Sequence, residues 1–169
     1  RKALAITLAA AMAMGTCAVT ASAADGDKYT IGICQLVQRE ALDAATQGFK
    51  DEVTKELGED AVTFDEQNAQ GDSNTCSTII NSFVSNNVDL ILANATPALQ
   101  AAAAGTSDIP ILGTSVTEYG VALGLDDFDG TVGGNISGPA DLAPLDQQPS
   151  LLNELFPDAK NVVLLYYSA

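Results

Sequence analysis

The residues of this chain whose types and spacing could do chemistry are amides and hydroxyls. Gln35 follows one short apolar run, Asn68 and Gln70 follow a second, Asn94 and Thr96 a third, and Ser115, Thr117 and Glu118 a fourth. Amide and hydroxyl side chains combine donors with acceptors, which suits them to orienting a small polar ligand. Helices expected to open at Thr96 and near Ser73 add free backbone N–H groups that can receive an anion such as a carboxylate. Catalytic chemistry has far less to draw on. The chain contains no histidine, so neither a Ser–His–Asp nor a Cys–His arrangement can be assembled. No Cys/His spacing suits a metal, and no carboxylate pair has a spacing that argues for acid–base work. Gly130, Gly133 and Gly134 make neither a dinucleotide fingerprint nor a phosphate loop. Asp126, Asp127 and Asp129 lack the alternation and distal Glu of a calcium loop. No cofactor and no enzyme activity are expected.

Each candidate also has a blander use. Asn94 and Thr96 are good helix caps. Asn68, Gln70 and Asp72 are ordinary turn formers. Ser115, Thr117 and Glu118 can be a solvated strand end. Arg39 could pair an anion, but an arginine is more often simply a surface residue.

The elements that would position these groups can be read from apolar periodicity. Residues 29–34 form a β-branched apolar run expected to be a buried strand. Ala41, Leu42, Ala45, Phe49, Val53 and Leu57 recur at helical spacing and predict an amphipathic helix over 40–57, closed by Gly58. A second strand is expected over 61–65. A second helix follows, capped by Asp72 or Ser73, with the stripe Cys76, Ile79, Ile80, Phe83 and Val84. A third strand is expected over 88–93, then a helix with Thr96 as its cap, Pro97 at its first position and a stop at Gly105. A fourth strand is expected over 109–113. This alternation of near-continuous apolar strands with helices predicts an α/β fold, a parallel sheet covered on both faces. In such a sheet ligands lie beyond the carboxyl ends of the strands, where the amide and hydroxyl loops fall. After Glu118 the pattern loosens into turns through Gly134. A helix over about 146–156 and a strand over 161–167 then begin a second α/β unit that is not completed, so the chain is expected to be truncated. Tyr119, Tyr166 and Tyr167 are expected to be packing residues.

The first residues differ in kind. Arg1 and Lys2 precede an apolar run from Ala3 to Met14, followed by small residues. That is the layout of a secretory signal, too short for a spanning helix. The first residue is not Met, so the sequence is expected to begin inside the signal. Two cleavage readings compete. Ala21-Ser22-Ala23 would release a soluble chain from Ala24, whereas Met14-Gly15-Thr16-Cys17 is similar to a lipobox and would place a lipid on Cys17. Both export the protein. Beyond Ala24, five basic minus 22 acidic residues give a net charge of −17, which opposes binding to nucleic acid and anionic lipid and favours solubility. Export makes a disulfide between Cys34 and Cys76 possible, but a sequence does not show whether two sulfurs meet. Two buried free thiols are the expectation.

These residues also carry a family resemblance. Ile31-Gly32-Ile33-Cys34-Gln35-Leu36-Val37, Ala41-Leu42-Asp43-Ala44-Ala45 with Gln47-Gly48-Phe49, Asn68-Ala69-Gln70-Gly71-Asp72, Val88-Asp89-Leu90-Ile91, Ala95-Thr96-Pro97-Ala98 and Asp108-Ile109-Pro110-Ile111 resemble the ABC-importer substrate-binding family that includes tryptophan and other aromatic amino-acid binders. So do Gly133-Gly134-Asn135-Ile136-Ser137-Gly138, the run Asp141 to Gln148, and the run Leu155 to Lys160. Where relatives commonly carry His-Pro, this chain has Arg39-Glu40. The resemblance implies a periplasmic-binding-protein-like lobe of type I and adds Asn135 to the ligand-binding candidates. After the signal (1–23) and a short polar tether (24–28), both read from the residues themselves, it implies a division into an amino-terminal lobe (29–137), a hinge crossover (138–145) and the start of a second lobe (146–169). The function implied is capture of a small solute, an amino acid with aromatic ones among the candidates, between two lobes, and its delivery to an ABC permease and ATPase. The protein would work in the periplasm or at the cell surface, touching the membrane only through the permease or a lipid anchor. An exported sensor or receptor domain of the same fold is the alternative.

Overall fold

The computed structural model of the protein describes residues 28–164. The signal and lipobox readings, with Cys17, and the tyrosines Tyr166 and Tyr167 lie outside the described residues. Strands β1 (Tyr29–Gln35), β2 (Val62–Asn68), β3 (Leu90–Asn94), β4 (Ile111–Thr114) and β5 (Ile136–Ser137) form one sheet in the order β2-β1-β3-β4-β5. Every pairing is parallel. Helices α1 (Glu40–Leu57), α2 (Ser73–Ser85) and α3 (Thr96–Gly105) connect the first four strands. The short α4 (Tyr119–Leu123) and the later α5 (Gln148–Leu155) complete the order.

Alternation along the strands sorts side chains to two faces. Ile31, Ile33 and Leu92 pack with Phe49 and Val53 of α1, and with Phe64 and Leu112. Cys34, Ile91, Ala93 and Ile111 face the other way and pack with the stripes of α2 and α3. Helices therefore cover both faces, as the apolar strands require. Gly32 lies on the α2 side, where a Cβ would stand 2.7 Å from the ring of Phe83. Its missing side chain lets α2 settle directly on β1. Lys50 ties α1 to β2 by an ion pair with Glu66 at 2.7 Å, while lying 5.7 Å from the centroid of the Phe64 ring.

Most expected elements are present, with instructive shifts. Strand β2 runs on to Asn68 because it is an edge strand, where alternating polar side chains meet solvent. Strand β4 begins at Ile111, since Pro110 has no N–H to give the ladder. Thr96 is not the cap of α3. Ala95 occupies that position without a side-chain cap, which puts Thr96 at the first helical position and Pro97 at the second. The loosened segment after Glu118 holds two elements that periodicity misses, α4 and β5. Residues 161–164 carry no strand, and the rest of that expected strand lies outside the described residues. Among the described residues no helix is long and apolar enough to cross a membrane.

Candidate functional site

Parallel register brings the last residues of four strands into line. Gln35 pairs with Asn68 on one side and Asn94 on the other, and Asn94 pairs with Thr114. The result is a polar file, Asn68–Gln35–Asn94–Thr114, across the carboxyl edge. Its two central members sit between β1 and β3, where the strand order reverses. In open α/β sheets that switch point is where a crevice forms.

The two inner amides are not free in the cleft. Both are buried and face α1. Gln35 Nε2 donates to Asp43 Oδ1 at 2.6 Å and to the carbonyl of Val37 at 3.1 Å, and its Oε1 accepts from Thr46 Oγ1 at 2.7 Å. Asn94 Nδ2 donates to the carbonyl of Leu42 and to Thr46 Oγ1, both at 2.9 Å. Among the described residues, Asn94 Oδ1 is a buried side-chain atom without a hydrogen-bond partner. This network pins the first half of α1 onto the strand ends. Thr46, its central member, is not among the residues that the sequence singles out. The one sign of it there is a polar residue one turn beyond Leu42 on an otherwise apolar stripe.

The outer groups are accessible. Asn68 and Gln70 are exposed, and with Val37 and Gln38 they line a shallow depression of about 390 Å³. Asn68 Oδ1 accepts from the backbone N–H of Gln70 at 2.7 Å, so part of its capacity goes to its own turn. Thr96, Ser115 and Glu118 are half-buried, and Thr117 and Arg39 are exposed. Glu118 serves its own helix. Its carboxylate accepts from the N–H groups of Gly120 and Val121 at 2.8 and 2.6 Å, capping α4. Asn135 is not brought to this edge. Its backbone carbonyl accepts from Ile111 N, and its amide donates to the carbonyls of Thr106 and Ile109. It precedes β5 and so lies at the amino edge of the sheet, which corrects its inclusion among the cleft candidates.

Backbone conformation at the carboxyl edge is costly. Gln70, Ala95 and Ser115 have φ of 54°, 90° and 55°, following β2, β3 and β4 respectively. Ala95, with ψ of 158°, occupies a region that side-chain-bearing residues rarely adopt and that costs about 1–3 kcal/mol. Such strain concentrates at functional sites. Here it turns the chain sharply from β3 into α3, whose first N–H groups no side chain caps. Helix α1 likewise starts at this edge without a side-chain cap, whereas α2 is capped by Asp72. The edge therefore offers exposed amides and hydroxyls beside two helix starts, a surface suited to an anionic, hydrogen-bonding small molecule.

Residues 30–169 match the family described as ABC transporter substrate binding protein. A tyrosine-binding protein of Clostridioides difficile (strain R20291) is 41% identical over 140 residues, covering 80% of this chain and 40% of its own length. The ligand-free, open structure of a substrate binding protein with adhesive properties from Clostridium difficile is similar with a TM-score of 0.69 at 42% identity, over 78% of this chain and 45% of that one. The structure of an ABC domain in complex with L-Trp from Streptococcus pneumonia is similar with a TM-score of 0.69 at 32% identity, with the same two coverages, 78% and 45%. The chain spans less than half the length of these relatives.

Proposed function

The chain belongs to the ABC transporter substrate-binding protein family, and on that premise we propose that its lobe forms one wall of a cleft that captures a free amino acid for an ABC importer. The observation that carries this reading is the polar file at the strand-order reversal, flanked by the uncapped start of α3. The solute's carboxylate would meet the first N–H groups of α3 and the hydroxyl of Thr96. Asn68, Gln70, Ser115 and Thr117 would supply further hydrogen bonds. Gln35 and Asn94, turned toward α1, would act by holding that edge in place. Capture would occur outside the cytoplasm, and a permease and ATPase would take the solute onward.

An aromatic amino acid fits best with the relatives, two of which are named for tyrosine binding or carry L-Trp. None of the four loops of this edge, residues 35–40, 67–72, 94–97 and 114–118, contains an aromatic residue. In this reading the lobe grips the polar head common to all amino acids, and contacts to a ring come from the opposite wall. Calorimetry of the full-length protein against the individual amino acids tests this. Heat with tyrosine, tryptophan or phenylalanine is expected. Heat with aliphatic amino acids only would remove the aromatic assignment, and none with any amino acid would remove the solute class.

A further inference from the structure

Two of the chain's cysteines are brought together by the packing of α2 on β1. Cys34 lies two residues beyond Gly32 on β1, so both face α2. The ring of Phe83 sits against Gly32, and Cys76 lies two helical turns before Phe83 on the same buried stripe. Helix α2 leads from β2 back to the start of β3, which runs parallel to β1, so it runs antiparallel to β1. Moving from Gly32 to Cys34 therefore corresponds to moving from Phe83 toward Cys76. Both residues are free thiols in this structure, fully buried in the same apolar cluster between α2 and β1. The close approach allowed by the missing Cβ of Gly32 lays α2 directly against the strand that carries Cys34.

We propose that Cys34 and Cys76 form an intramolecular disulfide in the oxidising compartment that the family membership implies. Each thiol gives up its hydrogen as the S–S bond forms, and the two protons and two electrons pass to a disulfide-bearing oxidant, which is reduced to two thiols. Once α2 has docked, burial pushes the Cys34 thiol well up, with a smaller contribution from neighbouring Cys76, and burial likewise raises Cys76. Exchange proceeds through the thiolate, so the bond forms while the chain is still open and is sheltered afterwards. It clamps α2 to the strand that ends in Gln35.

The test uses the full-length protein carrying Cys17→Ala, unfolded and refolded with either oxidised glutathione or dithiothreitol. After oxidative refolding, thiol titration under denaturant is expected to find neither Cys34 nor Cys76 free, and unreduced peptide mapping to show them linked. The oxidised form should melt on the order of 5–10 °C above the reduced form. In a Cys34→Ala/Cys76→Ala variant the two refolding conditions should give one melting temperature. Both thiols remaining free after oxidative refolding, or linkage only between separate molecules, would overturn the proposal.

Discussion

A single hydroxyl, Thr46 Oγ1, donates to Gln35 and accepts from Asn94, so removing it leaves two buried amides short of a partner. Thr46→Val keeps the shape and should cost about 1–3 kcal/mol by denaturant unfolding. Thr46→Ser should retain most of that, and equal stability of Val and Ser variants would show that the network contributes nothing. Thr96 poses the opposite case. It stands at the first position of α3 and does not cap it, so Thr96→Ala should leave stability within about 0.5 kcal/mol. If it meets the solute's carboxylate, the same change in the full-length protein should weaken binding by about 1.5–3 kcal/mol, or roughly ten- to a hundredfold in Kd. Unchanged affinity would remove Thr96 from the site. The sequence shows each end residue of the polar file, but not that four of them align, because register belongs to the pairing of strands and not to any one strand. Asn135 shows the same limit: it precedes β5, a strand made by its pairing with β4, so its place at the amino edge is visible only once the sheet is formed.

Legibility at the level of elements follows length. Helix α1 is evident from residue 40 to residue 57, because five turns repeat one apolar stripe and Gly58 ends it. Helix α4 has five residues, too few for a stripe to recur, and its only sign is the acceptor Glu118 ahead of it. Strand β5 has two residues and exists through its pairing with β4. The sharp turn into α3 carries a prediction of its own. Ala95→Gly removes the penalty of φ 90° and ψ 158°, worth about 1–3 kcal/mol, against a glycine cost of about 0.5–1 kcal/mol. A net rise of about 1 kcal/mol in unfolding free energy is expected, and destabilisation would show that the turn is unstrained. Helix α2 responds to pH instead. Hydrogen bonds from Thr75 and from the Asn74 backbone hold the Asp72 carboxyl below its ordinary value. A depressed folded value means that the cap contributes above the unfolded value and fades as pH falls through the folded one. Asp72→Ala should lower Tm at pH 7, with the difference from the natural chain vanishing in strong acid.

At the scale of the whole molecule, the described residues beyond position 140 are exposed, among them Leu145, Leu155, Phe156 and Val163. In the 169-residue chain, limited proteolysis should remove the tail after about Leu142 and spare 29–134. Uniform resistance would show that the tail packs on this lobe. The chain is fastened to the sheet just before that point. Val116 bridges Ala140, the N–H of Asp141 donates to the carbonyl of Val116, and a Cβ on Gly138 would collide with Gly113 and the hydroxyl of Tyr119. The strand order has a temporal consequence as well. β2 joins β1, β3 takes the other side of β1, and β4 and β5 are added outward in turn, so none of these five described strands is inserted between two already paired. A chain emerging amino end first can thus lay down this sheet in the order of its appearance, each newcomer finding a bare margin to line up against.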